Sequence, residues 1–261
     1  MMGLIRNESE KLLRQWRFVV VLSLYTLLAL ITSLDIHKAS FPQFTAANTV
    51  FQWVTGGFAG VLIPFSVSIL VGDIFAGEYS SGTIKLLLVR PVSRRKIWLS
   101  KYLAALGVSV LSVLYLGLCL YVCLGVSLGW GSWSAPLPAE VETEYATVWA
   151  LTWRVYALES LAVAALVSFV LLVSAMTRTG IAAVGTCVGA ILLGFLTVNS
   201  AGDTQWVKYL LAPHLEVTNH LVRQFSLPGC SLLQSVVTLC VWAVACAAAG
   251  LWFFQKRYIT E

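Results

Sequence analysis

Charged residues are scarce in this chain of 261 residues, since Asp, Glu, Lys and Arg make up only 11% of it and 59% is hydrophobic. A soluble domain carries roughly 25% charged residues. The charges that are present form clusters separated by long apolar runs. This shortage excludes an ordinary soluble domain. It predicts an all-α membrane protein, because a helix satisfies its backbone hydrogen bonds internally.

The chain also lacks a long polar stretch, because the longest segment between apolar runs has about 32 residues. A nucleotide-binding or catalytic domain does not fit there, so the sequence predicts a single transmembrane domain over residues 1–261. A helix needs about 20 mostly apolar residues to cross the hydrocarbon. Six runs of this kind predict spans at 18–34, 52–72, 102–129, 155–176, 181–198 and 231–254.

A small-x-small cleavage site is missing after the first run, which continues into Asp35 and Lys38. We therefore expect a retained span and not a cleaved signal peptide. Five of the six cysteines lie inside predicted spans, where they serve as small apolar packing residues, and Cys230 lies at a membrane edge. No disulfide and no metal site is predicted.

The distribution of basic residues predicts the orientation. With the N-terminus inside, 13 of the 17 Lys and Arg residues fall in cytoplasmic segments: Arg6, Lys11, Arg14, Arg17, Lys85, Arg90, Arg94, Arg95, Lys96, Lys101, Arg178, Lys256 and Arg257. Such a bias in short loops sets topology. We expect a multi-pass protein of a bacterial plasma membrane with both termini cytoplasmic. The net charge of +5 then needs no nucleic-acid partner.

Four segments outside the spans have separate predictions. Residues 1–17 predict a helix lying in the inner headgroup layer, the alternative being a solvated flank of the first span. Residues 73–101 are predicted to be cytoplasmic. Residues 130–152 and 199–230 are predicted to be external, with short amphipathic helices that rest on the outer leaflet or partly re-enter it.

Small residues mark two spans. Gly56 and Gly60 form a small-xxx-small face in the second span, and Pro64 is expected to kink it. Gly185 and Gly189 repeat the pattern in the fifth span. We favour packing within one bundle, and a seam between two subunits is the alternative.

The segment 77–101, GEYSSGTIKLLLVRPVSRRKIWLSK, mixes turn formers with a short apolar stretch. A short helix is predicted over 84–89 and ends before Pro91. Ser93 is expected to cap a new helix whose first turn carries Arg94 and two further basic residues. Cations in a first turn oppose the helix dipole, so we expect them to meet anionic lipid or a cytoplasmic partner.

This segment resembles the signature of the type-2 permease family of ATP-binding-cassette exporters. The matching residues are Glu78, Gly82, Thr83, Leu87, Leu88, Pro91, Ser93, Arg94 and Lys101. The six-span layout and the turn at 174–178 are also similar, as in permeases for antibiotic-peptide immunity, bacitracin resistance and sodium extrusion.

The resemblance implies a helix between spans two and three that couples the permease to a separate ATPase subunit. The implied coupling residues are Glu78, Gly82, Thr83, Pro91, Arg94 and Lys101. ATP and Mg would bind to that ATPase, while this chain binds no cofactor and is not itself an enzyme. A second copy or a related permease, and membrane lipid, would be its other partners. The cargo would be an amphipathic or lipid-embedded compound, such as a peptide antibiotic, or an ion, moved outward.

Three other motifs lack what their chemistry requires. Residues 77–82 have the glycine spacing of a phosphate-binding loop, but the Lys that must follow is absent. Residues 125–129 match the nucleophile elbow of serine hydrolases but lie at the end of a predicted span. The side chains of His214, Glu216 and His220 lack the spacing of metalloprotease zinc ligands.

Glu159 is the one carboxylate clearly inside a predicted span, about one turn from its outer boundary. It is a candidate for lining the transport pathway, and pairing with Arg154 or snorkelling to the surface is an equal alternative. The competing function is an ion-coupled carrier or a channel without an ATPase, which would carry several intramembrane charges or broken helices. An intramembrane enzyme would need clustered His, Asp or Ser residues in the spans, and none occurs.

Overall fold

The structure is a computed structural model and describes residues 2–39, 45–47, 49, 58, 60–82, 93–134, 147–201, 205–222 and 230–257. These ranges contain no β-strand. The α-helices are α1 Met2–Leu13, α2 Trp16–Ala39, α3 Leu62–Val71, α4 Asp73–Ser80, α5 Arg94–Leu128, α6 Val148–Met176, α7 Gly180–Ala201, α8 Leu211–His214 and α9 Leu232–Arg257. Two 3₁₀ helices, Gln205–Tyr209 and Val217–Val222, flank α8.

The predicted all-α fold with six membrane-spanning helices is confirmed at this level. Six helical stretches are long and apolar enough to cross a membrane: Trp16–Asp35, Leu62–Ser80, Arg94–Leu128, Val148–Met176, Gly180–Val198 and Leu232–Lys256. The second of these joins α3 and α4. The protein is therefore a multi-pass membrane protein by the length and composition of its helices.

Helix α6 is the centre of the bundle. It packs most extensively against α9 and also contacts α3, α4, α5 and α7. Its fully buried side chains include Leu151, Leu166 and Leu171. Small residues bring α9 close to it, since a methyl group at Gly250 would lie 3.5 Å from Leu172 Cα. Close packing of this kind holds membrane helices together, because lipid supplies no hydrophobic drive between them.

The described part of the second span runs from Leu62 to Ser80, with a break at Gly72 between α3 and α4, and so ends eight residues beyond its predicted end. Most of the predicted stretch 52–61 lies outside the described residues. Pro64 is the third residue of α3, and most of the residues before it lie outside the described ranges, so the predicted kink at this proline stays a prediction. Proline is tolerated in a first helical turn, where the amide groups have no partner within the helix.

The helix that contains the third span begins at Arg94, directly after Ser93, where the sequence predicts a helix start. Helix α5 has 35 residues and is about 52 Å long, which exceeds a hydrocarbon core of about 30 Å. Ser93 occupies the predicted N-cap position, but its side chain makes no capping hydrogen bond. Much of the predicted segment 73–101 is therefore helical, and only 81–93 connects the two helices. The predicted short helix at 84–89 lies outside the described residues.

The segment 205–222 packs into the bundle. Val207, Leu215 and Val217 are buried, and the second 3₁₀ helix contacts α6. The predicted short helices of this run are present at 205–209, 211–214 and 217–222. In the other predicted external segment, residues 135–146 lie outside the described residues, and the described part from Val148 onward belongs to α6.

Two of the four glycines of α7, Gly185 and Gly189, face open space. A methyl group at Gly185 or Gly189 would meet no atom within 4 Å, whereas one at Gly194 would meet the Cβ of Ala212 at 2.5 Å. The predicted packing of Gly185 and Gly189 inside one bundle is therefore not observed. Gly56, in the other predicted small-residue face, lies outside the described residues.

Candidate functional site

Four charged side chains meet at one end of the bundle and form what we call the charged cluster: Glu8, Lys11, Glu78 and Lys101. Lys101 Nζ lies 2.7 Å from Glu78 Oε1 and 2.8 Å from Glu8 Oε2. Lys11 Nζ lies 2.5 Å from the same Glu78 oxygen. The cluster thus ties α1 to both α4 and α5. We call this end of the molecule the motif end.

Because these charges are buried, the fold requires each of them to have a partner of opposite charge. Lys101 is 1% exposed and Glu78 is 6% exposed. Removing ions from water costs several kcal/mol each, so each charge needs an opposite one beside it. Burial lowers the pKa of Lys11, but the hydrogen bond and negative charge of Glu78 outweigh this and leave that pKa raised. The ring of Phe75 lies 5.9 Å from Lys101 Nζ and covers it.

A buried serine fastens α4 to α6. The backbone amides of Phe75 and Ala76 donate to Ser174 Oγ at 3.1 and 3.2 Å. These bonds occur near the end of α6, just before the predicted turn at 174–178, where α7 follows at Gly180. The helix that leads into the segment 81–93 is therefore held from two sides.

Asp73 makes a third connection at the motif end. Arg17 Nη1 lies 2.9 Å from Asp73 Oδ2, and this salt bridge joins the start of α2 to α4. The same carboxylate lies against the first residue of α7, since a methyl group at Gly180 would be 1.6 Å from Asp73 Oδ1. A carboxylate there is favoured by the positive end of the helix dipole.

The connection between α4 and α5 begins on an exposed turn. Gly82 is exposed and has φ +69°, a left-handed conformation that glycine adopts without steric cost. Arg94 is half-buried, and its Nη1 donates to the backbone oxygen of Gln255 in α9 at 3.1 Å. Thr83 and Pro91 lie outside the described residues, so their predicted roles stay predictions.

The structure thus brings Glu78 and Lys101 of the predicted coupling residues into direct contact and places Gly82 and Arg94 separately. Both members of the pair are buried, and their partners are side chains of this chain. Their position fits a mechanical role, because any displacement of the segment 81–93 would pull on α1, α4 and α5 together. In the described ranges, no three His, Cys, Asp or Glu side chains are grouped to hold a metal ion.

Glu159 lies deeper in its helix than predicted. Because α6 begins at Val148 and not at 155, Glu159 is eleven residues, or about 16 Å, along the helix. It is 1% exposed. Arg154 lies on the exposed side of α6, about 140° around the helix axis, so the alternative of a pair with Glu159 is not observed. Snorkelling is also not observed, since the carboxyl group is buried.

Sequence reasoning did not identify several partners of these residues. Glu8 and Lys11 were treated only as part of an amphipathic N-terminal helix, although their spacing of three places them on one helical face. Asp73 carried no signal beyond its position near a predicted span end. Glu216 was considered only as a metal ligand.

Comparison with known proteins identifies a family, but the description of that family names no activity. A family model described as a protein of unknown function, DUF2705, matches residues 18–260. The chain is 28% identical over 221 residues to the uncharacterized protein YhcI of Bacillus subtilis strain 168, covering 82% of this chain and 70% of the relative. It is 27% identical over 204 residues to YdbK of the same organism, covering 76% and 78%. YdbK is described as an uncharacterized membrane protein.

Proposed function

The chain belongs to the DUF2705 family of proteins of unknown function, and we propose that it is the permease subunit of an ATP-binding-cassette exporter. In this proposal it spans a bacterial plasma membrane with both termini in the cytoplasm. A separate ATPase subunit binds ATP and Mg and drives export of an amphipathic or lipid-embedded compound, or of ions. A second copy or a related permease completes the membrane part.

The observation that carries the proposal is the buried ion pair between Glu78 and Lys101. Both residues belong to the family-like signature, and they stand at opposite ends of the segment that would contact the ATPase. Lys101 Nζ and Glu78 Oε1 are 2.7 Å apart, so the pair holds the two ends of this segment beside each other. A loop that receives force from a partner needs such a rigid base, since otherwise the displacement would be absorbed locally.

The exposed residues at the motif end are the ones available to a partner. Ser81, Gly82 and Ser93 are exposed at the two ends of the connection, and Arg95 and Lys96 are exposed in the first turn of α5. We therefore propose that this surface, together with 83–92, contacts the ATPase. Glu78 and Lys101 lie buried beneath this surface. Substitution of either residue would therefore affect stability and coupling more than the docking of the ATPase.

In this proposal helix α1 links the coupling segment to the membrane surface. It packs along α5, and its residues Glu8 and Lys11 complete the charged cluster. Placed in the inner headgroup layer, α1 would connect the coupling segment to the membrane surface. This would let a movement of the segment tilt the spans relative to the lipid.

The second candidate function is an ion-coupled carrier or a channel without an ATPase. One observation favours it: Glu159 is a buried carboxyl group in the central helix α6. Intramembrane acids mark ion pathways in many transporters. The two functions differ in their energy source, so an assay for ATP hydrolysis separates them.

The experiment is to purify the tagged protein from its native host in mild detergent and measure vanadate-sensitive ATP hydrolysis. We expect the wild-type chain to copurify with a P-loop ATPase and its activity. Reversing the exposed charges in Arg95→Glu/Lys96→Glu should lower both at least tenfold. Arg6→Glu is the matched control, since Arg6 is exposed on α1 and pairs only locally with Glu10, and it should retain both. Absence of any ATPase from the wild-type preparation would contradict the proposal.

A further inference from the structure

Two carboxyl groups from different parts of the chain approach each other inside the bundle, away from the motif end. Glu159 lies on α6, and Oε2 of its side chain has no hydrogen-bond partner among the described residues. Glu216 lies between α8 and the 3₁₀ helix Val217–Val222, which packs against α6, and its negative charge acts on Glu159. Neither forms a salt bridge with a Lys or Arg in the described ranges. We call these two residues the carboxyl pair.

The bundle leaves space for Glu216. A methyl group at Gly60 would lie 1.9 Å from Glu216 Oε1, so the carboxylate occupies the space that any other residue at position 60 would fill. Asn219 Nδ2 donates to Glu216 Oε2 at 3.2 Å. Burial raises the pKa of Glu216, and this hydrogen bond opposes the increase. The carboxyl group is therefore held in a defined position at some cost in free energy.

Further buried oxygen atoms without partners belong to residues that closely follow Glu216 in the chain. Asn219 is 7% exposed, and its Oδ1 has no hydrogen-bond partner within the described part of the chain. Thr218, which is fully buried, has a hydroxyl in the same situation. Buried polar atoms are nearly always hydrogen-bonded, so a group of unsatisfied oxygens needs a reason. Together with Glu159 Oε2, they offer acceptors without a donor.

Polar groups of two further helices, α2 and α3, and a second side chain of α6 lie in the same region. The hydroxyls of Tyr25 in α2 and Tyr156 in α6 lie within electrostatic range of Glu159. Tyr25 shares a hydrogen bond with Ser66 in α3. The Tyr156 hydroxyl lies over Gly117 of α5, where a methyl group would be 1.6 Å from it. The carboxyl pair is thus inside a polar region and not against a purely apolar wall.

The nearby histidines do not supply the missing positive charge. Burial lowers the pKa of His214, although a hydrogen bond to the Lys208 backbone oxygen opposes this. Burial and the neighbouring His214 lower the pKa of His220 to about 4. Both rings are therefore neutral at physiological pH. His220 Nε2 instead shares a hydrogen bond of 2.9 Å with Ser235 Oγ.

We propose that Glu159, Glu216 and Asn219 form a binding site for a compact monovalent cation. An alkali cation or the primary ammonium group of a larger molecule provides the required chemistry, because both are bound by oxygen atoms. One bound cation neutralises one carboxylate, and burial raises the pKa of the Glu216 carboxyl group. A zinc-type site does not fit, since the described residues offer no group of three metal-ligating side chains. The site belongs to this chain alone and does not depend on an ATPase at the motif end.

The test measures the melting temperature of the purified full-length chain in detergent, without any ATPase, by intrinsic tryptophan fluorescence. Sodium chloride and methylammonium chloride are titrated separately at constant ionic strength, with N-methylglucamine chloride as the balancing salt. We expect a saturable rise with at least one probe. A response to sodium alone identifies an inorganic cation, and a response to methylammonium identifies an ammonium group. No saturable rise with either probe overturns the site.

The variants show whether the carboxyl pair is responsible. In Glu159→Gln and Glu216→Gln the apparent dissociation constant should rise at least tenfold. Without either probe, Glu159→Gln should melt no lower than the wild type, because it removes an unpaired buried carboxyl charge. Gly60→Ala, which displaces Glu216, should also weaken binding. Glu10→Gln is the control, since Glu10 is exposed on α1, and it should bind as the wild type does. An unchanged dissociation constant in Glu159→Gln overturns the site, whatever the result for ATP hydrolysis.

Discussion

Glu78 and Lys101 are 23 residues apart in the chain, and their side chains meet at 2.7 Å at the base of the segment that joins α4 to α5. Glu8 of α1 shares the ammonium group and Lys11 shares the carboxylate. Four charges from three helices thus neutralise each other where the polypeptide leaves the bundle. This arrangement explains why a lysine and a glutamate are kept almost fully buried in a chain with few charges.

Lys101→Met tests how much the charged cluster stabilises the protein. It leaves Glu8 and Glu78 without their shared cation, and removal of one partner of a buried ion pair costs about 3 kcal/mol or more. We expect a lower melting temperature and lower abundance in the membrane. The double variant Lys101→Met/Glu8→Leu should melt higher than Lys101→Met, because it removes the carboxylate that has lost its partner, whereas Glu78 keeps Lys11. Arg6→Ala, at an exposed pair, should leave the melting temperature unchanged. Equal melting of Lys101→Met and the wild type would contradict a structural role for the cluster.

Gly180→Ala tests the junction between α4 and α7. The new methyl group would lie 1.6 Å from Asp73 Oδ1, so the carboxylate must move and its contact with Arg17 must lengthen. We expect a melting temperature several degrees lower, measured in detergent. Gly185→Ala is the matched control on the same helix, since its methyl group meets nothing within 4 Å.

The control variant Gly185→Ala also tests for a subunit seam along α7. Alanine favours a helix over glycine by about 1 kcal/mol, so Gly185→Ala should be neutral or slightly stabilising in a single subunit. Loss of a dimer band in native electrophoresis with this variant would instead support a subunit seam along α7. Equal destabilisation by both substitutions would contradict the contact between Asp73 and Gly180.

Gly82→Val tests the exposed turn at the start of the connection. The left-handed conformation at φ +69° costs a β-branched residue more than about 1 kcal/mol, whereas asparagine tolerates it. A side chain at this position would meet no neighbouring atom, so the effect comes from the backbone alone. We expect Gly82→Val to reduce copurified ATP hydrolysis and Gly82→Asn to retain most of it. Identical activities of the two variants would show that the turn geometry does not matter for coupling.

Single cysteines at the two ends of the bundle test the orientation. Ser81 and Ser132 are both exposed and lie at opposite ends of the bundle. In a background with the six native cysteines replaced, Ser132→Cys should react with a membrane-impermeant thiol reagent added to intact cells. Ser81→Cys should react only after the cells are opened. The reverse pattern would place the motif end outside and exclude contact with a cytoplasmic ATPase.

Much of the fold could be predicted from the apolar runs, because a membrane span leaves a strong compositional signal. The predicted ends of the sixth span lie close to Leu232–Arg257. Composition does not reveal where a helix ends: the described part of the second span reaches Ser80, eight residues beyond the predicted end at 72.

The candidate site could be predicted only in part. The signature identified Glu78 and Lys101 but not that they bind each other, since such a pairing depends on how α4 and α5 pack. Glu216 could not be placed beside Glu159, because the approach requires the 3₁₀ segment to fold inward over Gly60. Long-range contacts of this kind leave no periodic pattern in the sequence.

The most direct test of the central claim is photo-crosslinking at the motif end in living cells. A photoreactive amino acid replaces Ser81, with the same replacement at Ser132 as the control, and crosslinked peptides are identified by mass spectrometry. We predict that position 81 crosslinks to a polypeptide with a complete phosphate-binding loop and that position 132 does not. Crosslinks from position 81 to lipid alone, or the same partners at both positions, would contradict an ATPase bound to the segment between α4 and α5.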